Sequence, residues 1–318
     1  MKIATLFSGI GAPEQGAKRV YGDDLELVFA CEYDKFARQS FNANYEIHPD
    51  HFHNDVREMD GTQYQSKVDV LVGGSPCQAF SIAGLRNGTD DERGQLIYQY
   101  IRIVDEVKAP VIVYENVKGM LSIDNGNTIK EFVQAIRDIG YFCHYEVVNT
   151  KDYGVPQNRE RIFLVGFLNH EIYHRFQFAP KQKLEKRLKD FLESKVDEKY
   201  YLSYETILSV ERIISKGRGY ARILSDYECE AKTLTARMYA SYNADYICDD
   251  VGVRAMTPKE ILRLNDFNDS FIQVVSDFQM YKQAGNRMSV NVLEMIFRQI
   301  KKQKKLKKDG YFERQTNR

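Results

Sequence analysis

Cys77 closes the run Val68-Asp-Val-Leu-Val-Gly-Gly-Ser-Pro-Cys77, an apolar strand followed by two glycines and a proline. In an open α/β sheet, ligands and chemistry gather at the carboxyl ends of the strands. Glycines permit a sharp turn there and Pro76 fixes its own φ, so the cysteine is expected on a rigid mount at a strand tip. That is how a nucleophilic thiol is presented, although a lone free cysteine is more often a small buried hydrophobe. A second apolar run, Pro110-Val-Ile-Val-Tyr114, ends in Glu115-Asn116. A carboxyl at the end of such a strand is costly unless it has a task or a partner. Arg159 and Arg161 flank Glu160 just before a third apolar run, so both arginines are expected on one side.

A separate set of residues suits a nucleotide-like cofactor. Lys2 to Phe7 reads as a short buried strand that runs into Ser8-Gly-Ile-Gly-Ala-Pro13 and then a helix. Strand, glycine turn and helix together offer free N–H groups and close backbone approach. A dinucleotide fingerprint would want a third glycine where Glu14 stands, which argues against a nicotinamide enzyme. The next strand, Leu25 to Ala30, leads into Cys31-Glu-Tyr-Asp34. Glu32 at its tip can accept hydrogen bonds from ribose hydroxyls, and Tyr33 can pack on an adenine ring. Asp55, in a third loop, can take the adenine amino group, although aspartate is common in loops for turn reasons alone.

The elements that must hold these residues alternate strand and helix as far as about residue 168, the pattern of an α/β domain with a doubly wound sheet. Helices are expected over about 95–107 and 128–139, and strands over 110–117, 141–149 and 162–167. The glycine-punctuated stretch 79–95 exceeds an ordinary connection and suits a lid. Beyond Leu168 the alternation stops. Residues 181–199 are charged and helix-like. Lys216, Arg218, Arg222, Lys232 and Arg237, interleaved with Tyr239, Tyr242 and Tyr246, form a candidate nucleic-acid patch. Thr257 caps a helix opened by Pro258, a last helix spans about 288–305, and a lysine-rich tail follows.

Composition narrows the class. The 318 residues are 43% hydrophobic and 28% charged, enough for one large or two ordinary domains. Formal net charge is +0, so a DNA-binding face must be a local patch. Five cysteines without CxxC spacing indicate neither a disulfide framework nor a zinc site, and a reducing cytoplasm fits. The amino-terminal MKIATLF reads as a strand start, not a signal peptide. No apolar run approaches the ~18 residues of a membrane helix.

Taken in order, Phe7-Ser-Gly-Ile-Gly11, Gly74-Ser-Pro-Cys-Gln78, Glu115-Asn-Val117, Gln157-Asn-Arg-Glu-Arg-Ile162, Arg254-Ala-Met-Thr-Pro-Lys-Glu260 and Gln283-Ala-Gly-Asn286 resemble the motifs of the C5-cytosine DNA methyltransferases of bacterial restriction-modification systems. The resemblance covers nearly the whole chain. Ala12-Pro13 stands where a further glycine is usual, and Arg287 where a small residue is usual. The resemblance implies a Rossmann-like, mostly parallel sheet with helices on both faces. It divides the chain into a catalytic and cofactor domain (1–168), a small target-recognition domain (169–252) and a carboxyl-terminal segment (253–318) returning to the first.

It also implies S-adenosylmethionine as cofactor, no metal, and double-stranded DNA as substrate. Phe7, Ser8, Gly9 and Gly11 would line the methionine and ribose side, Glu32 the ribose hydroxyls and Tyr33 the adenine face. Asp55 and Val56 would take the adenine edge, while Leu96 and Asn286 close the pocket. Cys77 would add to C6 of a flipped cytosine. Glu115 would neutralise charge at N3, and Arg161 would hold the base carbonyl. Gln78, Ser81, Arg159 and Thr233 are the implied DNA contacts, with Arg159 alternatively supporting its loop. A monomer in the cytoplasm, beside a cognate endonuclease it need not touch, completes the expectation. The nearest rival, a tRNA-cytosine methyltransferase, would be expected to carry Cys-Phe-Thr in its recognition region, and that triplet does not occur. A catalytically dead DNA-binding module would be expected to lose Cys77, Glu115 or Arg161, and all three are present.

Overall fold

The computed structural model describes residues 1–76, 95–217, 221–239 and 242–305. Seven strands form one sheet: β1 (Lys2–Leu6), β2 (Glu26–Cys31), β3 (Phe52–His53), β4 (Val70–Gly73), β5 (Val111–Val117), β6 (Phe142–Asn149) and β7 (Glu160–Phe167). Their order is β3-β2-β1-β4-β5-β7-β6. Strands β1 to β5 pair in parallel, and β7 runs antiparallel to both its neighbours. The central strands β1, β4 and β5 are near-continuous apolar runs because helices cover both their faces. At one edge β3 has only two residues, which limits unpaired backbone.

Helices α1 (Ala12–Tyr21), α2 (Lys35–Asn44), α3 (Gln95–Val107) and α4 (Asn127–Asp138) connect the strands. One apolar layer joins α3 and α4 to the sheet through Tyr100, Ile103, Phe132 and Ile136. The opposite layer joins α1 to the last helix, α9 (Val290–Lys305), through Ala17, Val20, Leu293 and Phe297. These two helices approach closely at Gly16, where a Cβ would lie 3.1 Å from the Glu294 backbone nitrogen. Asn291 donates to the carbonyls of Thr150 and Tyr153 and fixes the return of the carboxyl-terminal segment.

Between these lie α5 (His170–Arg175), α6 (Tyr204–Ser215), α7 (Pro258–Arg263), α8 (Asp277–Asn286) and a second sheet of order β10-β9-β8. Its strands are β8 (Arg222–Leu224), β9 (Asp245–Cys248) and β10 (Val253–Ala255). Two expectations change here. Residues 181–199 form short 3-10 turns at Leu188–Phe191 and Glu198–Tyr200, not an α-helix. The N–H groups of Leu188 and Lys189 bond instead to the carbonyls of Cys229 and Tyr227, a tertiary pairing that overrides local propensity. The small unit also runs past residue 252. Strand β10 pairs with β9, and Met256, Ile261 and Leu264 share a core with Leu188, Leu234 and Tyr246. Thr257 caps α7 as expected, in a reciprocal box with Glu260.

Candidate active site

The strand order reverses between β1 and β4, and a cavity of about 700 Å³ opens at the carboxyl ends of β1, β2, β4 and β5. That is the switch-point location where such sheets bind ligands. Phe7 leaves β1 with φ 54°, and Gly9 and Gly11 follow at 58° and 87°. Gly11 is the N-cap of α1, and a Cβ there would fall 2.0 Å from the Tyr45 ring. A glycine is therefore required by conformation and by space. The loop is tied to β2 by the Ser8 N–H on the Cys31 carbonyl at 3.0 Å and by the Gly9 N–H on Glu32 Oε2 at 2.8 Å. The other Glu32 oxygen accepts the Asp34 N–H, also at 2.8 Å. Burial raises the Glu32 pKa, and the two N–H donors hold it back. Each carboxylate oxygen keeps a further lone pair for a ligand hydroxyl.

Around this end stand Tyr33, Asp55, Val56, Leu96 and Asn286, all on the cavity wall. Tyr33 is 72% exposed, and the Arg57 guanidinium lies over its ring, its carbon 5.7 Å from the centroid. Asp55 is engaged by the Arg57 side chain at 2.6–3.0 Å, and that hydrogen bonding lowers its pKa. Lys282, which the sequence did not single out, pairs with Asp34 at 2.8 Å and also lines the cavity.

The same cavity continues to Gly74, Ser75, Pro76, Glu115 and Arg161. Strands β5 and β7 pair Glu115 with Phe163 and Val117 with Arg161, so Glu115 and Arg161 are diagonal neighbours on one face. Arg161 Nε lies 3.3 Å from Glu115 Oε1, an ion pair without hydrogen-bond geometry, and that oxygen has no hydrogen-bond partner among the described residues. Burial raises the Glu115 pKa, and the positive charges of Arg161 and Arg159 oppose the rise. Ser75, the residue before Pro76, is tied to β5. Ser75 Oγ and the Tyr114 hydroxyl share a 2.7 Å hydrogen bond, and Asn116 Nδ2 donates to the same hydroxyl at 2.7 Å. Gly74 passes against Glu115 so closely that a Cβ would meet its carbonyl oxygen at 2.9 Å. Cys77, Gln78, Ser81 and most of the expected lid, 77–94, lie outside the described residues.

A family model for C-5 cytosine-specific DNA methylase matches residues 1–302. The chain belongs to that family. It is 36% identical to the Type II methyltransferase M.SsoII of Shigella sonnei over 309 residues, 94% of this chain and 79% of that protein. It is also 36% identical to the Type II methyltransferase M.NlaX of Neisseria lactamica over 308 residues, 94% and 96% of the respective chains. Among solved structures, the Entamoeba histolytica methyltransferase EhMeth matches with a TM-score of 0.75 over 94% of this chain and 97% of that one. At 18% identity that likeness concerns the fold.

In this methylase two groups of expected DNA contacts are otherwise occupied. Arg159 is 2% exposed, and its guanidinium donates to the carbonyls of Leu234 at 3.0 Å, Gly285 at 3.4 Å and Arg287 at 2.6 Å. Burial and the neighbouring Arg161 pull its pKa down to about 9. Of its two expected roles the geometry serves loop support. Arg222 forms a two-pronged pair with the buried Asp245 at 2.6 and 2.7 Å, and Tyr246 is buried in the small core. Both leave the basic patch. Arg218 lies outside the described residues, whereas Lys216 and Arg237 are exposed. Thr233 is partly exposed and donates through Oγ1 to the Asn158 carbonyl at 2.5 Å, which joins its segment to the loop that leads to Arg161.

Proposed function

We propose that this chain transfers the methyl group of S-adenosylmethionine to C5 of a cytosine in duplex DNA, through a covalent bond from Cys77 to C6. The observation that carries the reading is the single cavity joining Glu32 and Gly9 at one end to Pro76, Glu115 and Arg161 at the other. A nucleoside-sized ligand and a base can meet there in one cavity. Membership of the C-5 cytosine-specific DNA methylase family favours DNA as the substrate.

The cavity fits the cofactor: its volume is ample, Glu32 offers unused acceptor capacity, and Tyr33 presents an exposed aromatic side chain on the wall. Bound there, S-adenosylmethionine supplies an electrophilic methyl on a sulfonium. Glu32 would hold the ribose hydroxyls, Tyr33 the adenine face and Val56 its edge, with Leu96 and Asn286 closing the wall. Asp55 would reach the adenine amine while keeping its Arg57 pair.

Cytosine C5 is a weak nucleophile. A thiolate adding at C6 makes the ring enamine-like, so that C5 can take the methyl; loss of the C5 proton then expels the thiolate from C6 and restores the ring, which splits one hard step into easier ones. Cys77 is that thiolate in our reading; Ser75, two residues before it, is fixed by Tyr114, which Asn116 also bonds. Glu115, kept protonatable by burial, neutralises the charge growing at N3. Arg161 steadies the base carbonyl. Within a duplex C6 is shielded by stacking, so the base must flip out, and Gln78 and Ser81 are the residues we assign to that side of the DNA. We assign target reading to the small unit, about residues 169–252 with β10, where Thr233 anchors the reading loop. A monomer in the cytoplasm suffices for this chemistry. Bisulfite sequencing of unmethylated DNA incubated with the protein and S-adenosylmethionine should show protected cytosines in one sequence context; full conversion at every cytosine would refute the reading.

A further inference from the structure

Glu14 takes no part in the mechanism above, yet it is a carboxyl 2% exposed in the first turn of α1, directly below the glycine loop. Its Oε1 accepts the Thr5 hydroxyl at 2.6 Å. Thr5 Oγ1 in turn lies 2.7 Å from Ser8 Oγ, and either can donate. Ser8 Oγ accepts the Cys31 N–H at 3.2 Å and lies 3.1 Å from the Cys31 carbonyl. The result is a buried chain, Glu14–Thr5–Ser8–Cys31, running from a titratable group to the cavity wall. Glu14 Oε2 and the nearby Tyr45 hydroxyl are buried without hydrogen-bond partners among the described residues.

The chain has two complete arrangements. With Glu14 ionised, Thr5 donates to Glu14, Ser8 donates to Thr5, and Ser8 accepts from Cys31. With Glu14 protonated and donating, Thr5 donates to Ser8, and the Ser8 hydroxyl turns to a carbonyl, either that of Thr5 at 3.3 Å or the nearer one of Cys31 at 3.1 Å. The Cys31 carbonyl is already the acceptor of the Ser8 N–H, the bond that ties the glycine loop to β2. The next link is the Gly9 N–H on Glu32. Through the Cys31 carbonyl, protonation at Glu14 reaches the residues assigned to the cofactor.

We infer that Glu14 is a positioning residue for the cofactor, its ionised form setting the donor direction through Thr5 and Ser8 that holds the glycine loop ready for S-adenosylmethionine. This rests on the cofactor reading above. A buried anion also favours a cationic sulfonium ligand over an empty site. Burial pushes the Glu14 carboxyl up to about 7, which puts the change of state in the neutral range. The charged and titratable groups around it are Tyr45, whose pKa the Glu14 charge helps raise, Arg19, bound to Asp266 and Glu294, and Glu32 and Cys31 across the loop.

The test is calorimetric titration of the full chain with S-adenosylmethionine between pH 6 and pH 8. If only the ionised form binds and titrates near 7, affinity at pH 6 is roughly tenfold weaker than at pH 8, the ratio of the competent fractions. Glu14→Gln cannot ionise and should give a profile with that slope removed. Thr5→Val keeps the carboxyl but cuts the chain, and should flatten the profile too; it serves if Glu14→Gln does not fold. A wild-type profile that is flat, or a slope that survives in either folded variant and so belongs to Glu32, would overturn the inference. Absence of binding at every pH in the wild type would instead refute the cofactor reading on which it stands.

Discussion

Gly11→Ala tests the glycine loop through two separable penalties. The residue has φ 87°, a left-handed conformation that costs an L-residue with a side chain about 1–2 kcal/mol. Its added Cβ would also lie 2.0 Å from Tyr45 Cε2 and 2.7 Å from Cδ2 and Cζ. The ring cannot retreat freely, because it packs on Phe41 with centroids 5.0 Å apart. Overpacking of this kind costs about 1–3 kcal/mol. Gly11→Ala should therefore destabilise the protein by about 2–5 kcal/mol in urea unfolding. The steric part alone involves Tyr45, so a cycle with Tyr45→Ala should show a coupling of about 1–3 kcal/mol, with Gly11→Ala far milder in the Tyr45→Ala background. The conformational part should persist there. Additive effects in the cycle would refute the contact, and a neutral Gly11→Ala would refute both penalties.

Three further outcomes follow from other contacts. The folded pKa of Glu14, about 7, exceeds its ordinary 4.5, so the folded state holds the proton more tightly. Stability from this group is then present below pH 4.5 and lost as pH rises to about 7; Glu14→Gln should remove that loss, worth about 3 kcal/mol between pH 4.5 and pH 8 at ~1.4 kcal/mol per unit. Parallel stability curves for the two proteins would contradict it. At Gly285 a Cβ would fall 2.1 Å from the Ala236 backbone nitrogen, so Gly285→Ala should displace the Thr233–Ala236 segment and weaken duplex binding; an unchanged duplex affinity in a gel-shift titration would argue against the contact. Glu32→Ala should weaken S-adenosylmethionine binding by about 1.5–3 kcal/mol for charge-assisted hydrogen bonds, and calorimetry giving wild-type affinity would remove Glu32 from the cofactor site.

Much of this architecture was legible because buried strands announce themselves. Apolar runs with glycine or a polar residue at the end located β1, β4 and β5, and the residues at their tips proved to line one cavity. The helix expected over about 95–107 is present as α3. What stayed hidden depended on pairings between distant segments. The contact between Glu115 and Arg161 follows from the antiparallel register of β5 and β7, which neither segment encodes alone. Arg159 and Arg222 look like free cations in sequence, but the carbonyls and the carboxylate that bind them come from 75, 126 and 128 residues away for Arg159 and 23 for Arg222. The helix-like stretch 181–199 gave up its local preference to backbone acceptors at Tyr227 and Cys229. Glu14 read only as a missing glycine, because its burial and its link to Thr5 come from the packing of α1 on β1.

The central claim, that Cys77 attacks C6 of a cytosine while Glu115 manages the charge, is tested most directly by covalent trapping. Duplex DNA carrying 5-fluorocytosine at the methylated position is incubated with S-adenosylmethionine and each protein, then run on a denaturing gel. Fluorine at C5 cannot leave, so an adduct formed at C6 persists. The wild type should give a shifted, stable band. Cys77→Ser, whose hydroxyl hardly ionises beside a thiol of pKa ~8.5, should give none. Glu115→Gln should still trap, slowed by roughly 10²–10⁴-fold as expected for loss of a general acid. A stable adduct from Cys77→Ser would contradict the account and send the search for the nucleophile to Cys31, Cys143, Cys229 and Cys248.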